Sequence, residues 1–531
     1  MDMRKLSPAL YVAGQVAPED MSGLAARGIR SIICNRPDGE EAGQPAWADV
    51  ASAAAAAGIE TRFIPVTADT IGPQAGAQFA AALAELPQPI LAFCRTGNRC
   101  TILAQMASQK APVVNGGTTP RFAVLIVGGG AGGIATAASM LKRRPNLQIA
   151  IAEPRDEHYY QPGWTLVGGG VFKVADTVRP MASLIPRGVT WLKAEAAGFD
   201  PGNNEVVLRD GRRIGYEMLV VATGNRLAWE EIEGLEATLG RNGVTSNYRY
   251  DLAPYTWQLV QELGEGRALF TQPPMPIKCA GAPQKAMYLA CNAWERRNRL
   301  NHMDVQFHNA GAALFGVPDY VPALQETVDR YGIGLQFNSN LIAVDGPAKQ
   351  ATFATPQGEV TLPFDMLHVV PPQKGNAVVA AGELADAAGY AEVNEQTMQH
   401  VRYPNVFALG DGCSTSNAKT AAAVRKQAPV VAINAIAALD GAPLTAAYDG
   451  YGSCPLTVER GKIVLAEFTY SGKLAPTFPT WLVDGTRPSR LSWFLKEKLL
   501  PPIYWHAMLK GREWLAGPRP YVQPSASVDA A

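Results

Sequence analysis

The residues best suited to chemistry are the cysteines. There are seven: Cys34, Cys94, Cys100, Cys279, Cys291, Cys413 and Cys454. They are scattered and lack the C-x-x-C spacing of a zinc site or the density of a disulfide framework, which leaves thiolate chemistry. Cys94 ends the apolar run Pro89–Phe93 and opens Cys94-Arg95-Thr96-Gly97-Asn98-Arg99, followed by Cys100 and a helix. Loop amides and a helix N-terminus there stabilise a thiolate and can wrap an anion, and Arg95 and Arg99 add positive charge. Three readings stay open for Cys94: a sulfur carrier, a phosphatase nucleophile or an inert relic. Cys413 lies two residues beyond Asp411 and near the start of a predicted helix, Lys419–Gln427, which lowers a thiol pKa. Cys279 sits in ALFTQPPMPIKCAGAPQKA. Cys34, Cys291 and Cys454 read as packing or structural residues, as free cysteines are commonly buried. Asp38, before Gly39, suits a turn better than general acid catalysis.

A second constellation lies in FAVLIVGGGAGGIATAASMLKRRPNLQIAIAE, Phe122–Glu153. The apolar run Phe122–Val127 predicts a buried strand, and Ala131–Arg144 predicts a helix stopped by Pro145. Between them Gly128, Gly130 and Gly133 occupy the G-x-G-x-x-G positions, with Ala131 and Gly132 among them. These glycines permit a tight turn and close approach to a pyrophosphate, whose charge the helix N-terminus binds. Leu147–Ala152 makes the next strand, and Glu153, about 20 residues beyond Gly133, stands where an acid holds ribose hydroxyls. Further on, the strand Leu219–Val221 runs into Ala222-Thr223-Gly224, and Asn405–Leu409 runs into Gly410-Asp411. That order of motifs favours FAD over NAD at this site, with Asp411 at the ribityl chain and the following helix aimed at the flavin. A second glycine turn, for NAD(P)H, belongs near 268–286. Prolines and Cys279 stand there instead, which argues against a pyridine-nucleotide-dependent reductase.

The 531 residues provide for several domains. Lys+Arg and Asp+Glu both number 47, so no excess charge suggests nucleic acid. The six histidines form no metal pattern. The N-terminus lacks a secretory h-region, and no run of 18 or more apolar residues predicts a transmembrane helix. The fold class is α/β. Strands at Ile29–Ile33, Glu60–Ile64 and Pro89–Phe93, with helices at Ala46–Ala57 and Ala77–Leu86, predict a small domain over 1–110. Residues 111–121, rich in Pro, Gly and Thr, read as a linker. A two-dinucleotide-fold flavoprotein follows over 122–425, its second unit at about 226–340, then a quinone- and membrane-facing region over 426–516 and a disordered tail over 517–531.

Two stretches carry resemblances. GQVAPEDMSGLAARGIRSIICNRPDGEEAGQP and PILAFCRTGNRC resemble the rhodanese-like, phosphatase-related domain of β-lactamase-hydrolase-like proteins. The Cys-x4-Arg loop is one residue shorter than in cysteine phosphatases, so the resemblance implies a sulfane sulfur on Cys94 with Arg99 beside it. Cys100 stands where that family usually has a hydroxyl. HYYQPGWT, PPMPIKCAGAPQKAMYLA, LFGVPDY, RYPNVFALGDGCSTSNAKTAAAVRKQAPVV and YDGYGSCPLT resemble sulfide:quinone oxidoreductases of the mitochondrial type. That resemblance implies Cys279 and Cys413 as the redox pair, with sulfide leaving a persulfide on Cys279, the Cys413 thiolate engaging the flavin, and electrons passing from FAD to quinone. It also implies FAD contacts from Gly130, Ala131, Glu153, Gln161, Ala196, Thr223, Gly224 and Asp411, and a Lys419 that neutralises the reduced flavin. His158 reads equally as a proton shuttle or a structural residue.

Leu491–Leu515 alternates aromatic and basic residues around Pro501-Pro502. It reads as an interfacial anchor, with a helical pair packed on the core as the alternative. The partners expected are sulfide, a membrane quinone, a small sulfur acceptor such as glutathione or sulfite, and the membrane surface on its cytoplasmic side. No nucleic acid is expected, and a homodimer is compatible with the sequence.

Overall fold

The computed structural model describes residues 3–522 apart from 8, 68–69, 72 and 109–118. Most of the expected linker and residues 523–531 of the expected tail lie outside the described residues. The chain divides into two compact units: 1–118 with 209–212, and 119–208 with 213–531.

The first unit is a five-stranded sheet in the order Met3–Ser7, Leu10–Ala13, Ile90–Phe93, Ser31–Cys34, Glu60–Phe63. The first two strands form an antiparallel hairpin and the other pairings are parallel. Ile90, Leu91, Ala92 and Phe93 are all buried, as a central parallel strand requires. Three loops therefore leave the same carboxyl edge: Gly14–Val16 after Leu10–Ala13, Asn35 onward after Ser31–Cys34, and Cys94–Gly97 before the helix Asn98–Ser108. Ligands gather at such an edge in open α/β sheets. Glu60–Phe63 is largely exposed and Ser31–Cys34 buried, matching edge and interior positions.

In the second unit the run Arg121–Val127 is the strand expected, and Leu125 and Ile126 are wholly buried. Burying such side chains stabilises the fold by about 1.5–3 kcal/mol each. The strand pairs in parallel with Ile149–Ala152 and with Arg213–Val221, which in turn pairs with Val406–Ala408. The register Val127↔Val221 and Val221↔Ala408 brings the three functional turns, at 128–133, 222–224 and 409–411, to one sheet edge. The helix Ala131–Arg143 follows the first turn, capped at Gly130. Gly133 packs so closely under the turn that a Cβ there would stand 1.9 Å from the Gly128 carbonyl oxygen. The helix expected at Lys419–Gln427 runs Ala421–Leu439, and the Thr420 hydroxyl accepts from Ala423 N–H at 3.2 Å, an N-cap contribution of about 1 kcal/mol.

A second parallel sheet contains Gly266–Gln272 and Met303–Asn309, with the helix Ala282–Glu295 between them. The hairpin Gly452–Glu459/Lys462–Phe468 packs on that helix. The C-terminal segment is a nearly continuous helical run from Arg490 through His506, with Pro501 and Pro502 accommodated in the first turn of Leu500–His506. No helix among the described residues is long and apolar enough to cross a membrane.

Gly133→Ala is expected to destabilise the second unit by about 1–3 kcal/mol, because overpacking here meets backbone. It should also lower the FAD content of the purified protein. Thermal unfolding and flavin absorbance measure both effects; an unchanged midpoint and flavin content would show that the turn yields.

Candidate active site

A cavity of about 690 Å³ opens along the edge where the three turns meet. Gly128–Gly132, Glu153, Gln161, Ala196, Thr223, Gly224, Asp411 and Lys419 all line it, so the structure gathers nearly every residue expected at FAD. Gly133 sits beneath, buried. The cradle fits a dinucleotide. A Cβ on Gly130 would meet nothing within 4 Å, so the turn faces open space. The Glu153 carboxylate accepts from Gly129 N–H at 2.8 Å and from Arg155 N–H at 3.0 Å, fixed at the turn's rim. Both side-chain polar atoms of Asn247 and the Trp164 indole N–H are buried on the cavity wall with no partner among the described residues, as expected of groups that meet a polar cofactor. Burial pushes Asp411 up, against the pull of Lys278 and Lys419. Lys419 lies over the Tyr390 ring at 4.7 Å and donates to the Cys413 carbonyl at 2.7 Å.

His158 is buried between two elements. Its Nδ1 meets the Gly129 carbonyl at 3.1 Å and its Nε2 the Tyr504 hydroxyl at 2.6 Å. Burial lowers its pKa to about 4, so it is neutral at pH 7 and ties the glycine turn to the C-terminal helix.

The placement of the thiols differs from the expected Cys279–Cys413 pairing. Cys413 does not meet Cys279. Its thiol is wholly buried and donates to the Gly410 carbonyl at 3.1 Å, with Thr415 Oγ1 also at 3.1 Å. Cys454, expected to be structural, places its Sγ 3.5 Å from Cys279 Sγ. The physical reason is the close seating of the strand Gly452–Glu459 on the start of the helix Ala282–Glu295. A Cβ on Gly281 would stand 2.2 Å from Leu456 Cδ2 and 2.6 Å from Cys454 Sγ. Cys279 occupies a left-handed conformation, φ 51°, costly for a non-glycine residue and typical of functional sites. It is pinned there by its N–H to the Lys419 carbonyl at 2.8 Å.

Two lysines that the sequence did not single out complete the pair. Lys285, on the first turn of Ala282–Glu295, is buried with Nζ 3.2 Å from Cys279 Sγ and 3.7 Å from Cys454 Sγ. Lys496, also buried, donates to Thr457 Oγ1 at 2.7 Å and the Pro455 carbonyl at 3.1 Å. The hydrogen bond from Cys454, with the Lys285 cation, holds the Cys279 thiol well below its usual range, while Cys454 keeps its proton. Burial alone would lower Lys285, but the thiols outweigh it and keep it charged. Burial, with Lys285 nearby, drives Lys496 well down toward its neutral form. Cys279, Lys285 and Lys496 line the cavity. The i+6 spacing of Lys285 from Cys279 was visible; the meeting with Cys454 across the chain was not. Cys291 is buried in the same helix and burial raises its pKa, as its expected packing role requires.

The first unit has its own thiol site. Cys94 is buried, and Gly97 N–H points at its Sγ from 3.1 Å. A hydrogen bond from the Cys100 thiol, helped by the amides of Cys100, Thr96 and Arg99, outweighs burial and lowers Cys94 to about 5. Burial pushes Cys100 up, so it stays a donor. Burial also raises Cys34 to about 12, in line with packing. Asp38 accepts from Trp47 N–H at 2.8 Å and so belongs to the loop's structure. Arg99 does not reach over Cys94 unencumbered: it pairs with Glu40 and donates to the Val66 carbonyl at 2.8 Å.

The glycine turn, the sheet edge it shares with 222–224 and 409–411, and a thiol pair of which Cys279 lines the cavity define a flavoprotein of the pyridine nucleotide-disulphide oxidoreductase class, whose family matches residues 122–437. Within that class, the chain is 42% identical over 393 residues to the mitochondrial sulfide:quinone oxidoreductase of Dictyostelium discoideum, covering 73% of this chain and 86% of that one. The chain belongs to the sulfide:quinone oxidoreductase family. A solved sulfide:quinone oxidoreductase from Aquifex aeolicus has the same fold, with a TM-score of 0.63 at 22% identity over 74% of this chain and 92% of that one. Residues 2–111 match the phosphatase-like domain of beta-lactamase hydrolase-like protein. Such a protein from Agrobacterium fabrum is 41% identical over 99 residues, 19% of this chain and 23% of that one.

Cys279→Ser and Cys454→Ser should each reduce sulfide-dependent quinone reduction by at least about 100-fold, and the double variant should be no worse, because the two act as a unit. Cys413→Ser should keep most of the activity. A Cys413→Ser enzyme as dead as Cys279→Ser would restore the pairing expected from sequence. Lys285→Met should raise the Cys279 thiol pKa, so that alkylation of Cys279 at pH 7 slows and recovers as pH rises. Once the thiol's midpoint has climbed past the assay pH, the slowing should be about tenfold for each further pH step of one. An unmoved pH profile would show that Lys285 does not hold the thiolate.

Cys94 alkylation should follow a profile with its midpoint near pH 5. Cys100→Ala should move that midpoint upward and Cys100→Ser should largely restore it. Identical profiles in all three would remove Cys100 from the site.

Proposed function

We propose that this chain oxidises sulfide at the Cys279–Cys454 pair and delivers the electrons to a quinone. The observation carrying the reading is the 3.5 Å approach of two thiols beside a buried ammonium on the cavity wall. In the oxidised pair, hydrosulfide attacks the sulfur of Cys454 and the bond to Cys279 breaks, leaving Cys454–S–SH and a Cys279 thiolate. That direction follows from leaving-group acidity: the thiol of lower pKa leaves faster, and Lys285 keeps Cys279 ionised. The freed thiolate faces the cavity, where Asp411, Glu153 and the glycine turn would hold FAD. FAD held there would supply the two-electron acceptor that links the thiolate to the quinone. Lys285 compensates the negative charge, and Lys496, whose pKa burial drives well down, is suited to hold or release a proton near the pair. Transfer of the outer sulfur to an acceptor thiol closes the balance as hydrogen sulfide + RSH + quinone → RSSH + quinol. Glutathione or sulfite suits the acceptor role, and Cys94 suits that of a sulfane-sulfur carrier.

The C-terminal segment supports peripheral attachment to a membrane. Trp481, Leu482, Leu491, Phe494, Leu499, Trp514 and Leu515 are exposed, an apolar surface of the kind that enters a lipid interface. Tyr504, Trp505 and Met508, read from sequence as part of the anchor, are instead buried, and Tyr504 and Trp505 pack against Tyr160 and His158. The buried face fits the reading of a helical pair packed on the core, and the exposed face supports the anchor reading.

The flavin of the purified protein should bleach with sulfide and persist with NADH, since Met275–Ala280 replaces a second glycine turn. Rapid bleaching by NADH would favour the pyridine-nucleotide reductase reading. Trp481→Ser combined with Phe494→Ser should weaken flotation with anionic liposomes at least several-fold while quinone reduction with a short-tailed quinone persists. Unchanged flotation would place the membrane contact elsewhere.

A further inference from the structure

The Cys94 loop carries two arginines, yet both are engaged. Arg99 forms an ion pair with Glu40 Oε1 through one terminal nitrogen and donates to the Val66 carbonyl through the other. Arg95 Nε stands 3.6 Å from Glu41 Oε2. The two carboxylates are not loosely placed. Both are held by Arg36, whose side chain is 4% exposed: Nε meets Glu40 Oε2 at 2.8 Å and Nη2 meets Glu41 Oε2 at 2.9 Å. Its third arm donates to Gln15 Oε1 at 2.7 Å. The segment is braced further by Asp38 on Trp47 N–H and by Gln44 on the Pro37 carbonyl, 2.8 Å each.

A buried guanidinium is costly unless paired, so Arg36 fixes Glu40 and Glu41 in place. An oxyanion that sought the Arg99 fork would have to displace Glu40 from Arg99 and Arg36 together, and would approach a carboxylate pair of its own charge. A persulfide terminus needs no arginine. Its sulfur can be received by the loop N–H groups that already point at Cys94. We propose that Glu40 and Glu41 are specificity-determining residues that occupy the loop arginines, excluding tetrahedral oxyanions and admitting alkyl persulfides as sulfur donors to Cys94. The proposal rests on Cys94 being a sulfur carrier. The transfer is balanced without an oxidant: the Cys94 thiolate attacks the outer sulfur of the protonated persulfide RSSH, the S–S bond of the donor breaks, RS⁻ leaves, and Cys94 becomes Cys94–S–SH. Discrimination of this kind is built from repulsion of the wrong ligand as much as attraction of the right one.

The experiment uses the full chain and reads Cys94 alkylation by mass spectrometry, with hydrogenphosphate, thiosulfate and glutathione persulfide as probes. In the wild type, phosphate and thiosulfate should leave the alkylation rate within about twofold, while glutathione persulfide adds one sulfur to Cys94. In Glu40→Gln the oxyanions should protect Cys94 at concentrations at least about tenfold lower, a gain of about 1.4 kcal/mol. Glu41→Gln, which contacts the exposed Arg95, should shift in the same direction by less and keeps the test open if Glu40→Gln unsettles the domain. Sulfide-dependent quinone reduction should be unchanged in both. Equal protection in wild type and variants, or none in either variant, would overturn the gate. A wild-type Cys94 that gains no sulfur would remove the carrier reading instead, with the oxyanion comparison still deciding the gate.

Discussion

Lys285 is the constraint around which the second unit is assembled. An ammonium removed from water needs an anion at hand, and its hydrogen-bond partners among the described residues are the sulfurs of Cys279 and Cys454, at 3.2 and 3.7 Å. The cation and the thiolate stabilise each other in a place where neither is stable alone. That mutual dependence requires three elements to meet: the start of the helix Ala282–Glu295, the left-handed turn at Cys279, and the strand Gly452–Glu459. Gly281 permits the meeting by having no side chain. Thr457, which holds Lys496, and Lys419, whose carbonyl holds Cys279, tie the same point to the C-terminal helix and to the flavin-side loop. Strain at Cys279, burial at Lys285 and desolvation at Lys496 are thus features of one sulfur site.

What was legible in the sequence was local. The glycine turn, its flanking strand and helix, and Glu153 form a continuous stretch, so spacing alone placed them. The strand ends at Thr223 and Asp411 were legible because buried parallel strands read as unbroken apolar runs. The thiol pairing was not, because it depends on how a hairpin packs on a helix far away in sequence, and no periodicity encodes that. Cys413 misled for a physical reason. It stands just after Asp411, but its thiol turns back onto the Gly410 carbonyl of its own tight turn. Cys454 lies on a strand whose buried pattern, Gly452, Cys454, Leu456, is that of an ordinary core face. The first hairpin, Met3–Ser7/Leu10–Ala13, was also missed: Met3–Ser7 is largely exposed and mixed in character, as an edge strand can be.

The first unit meets a similar problem with the opposite sign of solution. There the buried cation is Arg36, and its partners are carboxylates. The Cys94 thiolate is supported by neutral donors, the Cys100 thiol and loop amides, with the loop's own guanidiniums already paired. The anion-binding geometry of a phosphatase-related loop is retained while its charge is cancelled. The sequence suggested a positive loop because Arg95 and Arg99 are close to Cys94 along the chain, whereas Glu40 and Glu41 come from a different sheet-edge loop.

These two environments suit different chemistry. A pair that must cycle between dithiol and disulfide needs unequal thiols: one that ionises and leaves, one that retains its proton and receives sulfur. Cys279 and Cys454 are made unequal by the hydrogen bond one gives the other and by a cation nearer one of them. A carrier that only accepts and passes on a sulfur atom undergoes no net oxidation, and needs a thiolate nucleophilic at neutral pH without a neighbouring charge that would trap the product. Hydrogen bonds from a thiol and amides suit that need: they lower the Cys94 pKa without a fixed neighbouring charge. A fixed cation at 3.2 Å, as Lys285 stands to Cys279, would favour the charge where it lies and slow its departure. On the proposal that Cys94 carries sulfur, the pairing of both loop arginines, set by Glu40, Glu41 and the buried Arg36, is the feature that would let the same loop both take up a persulfide sulfur and give it away.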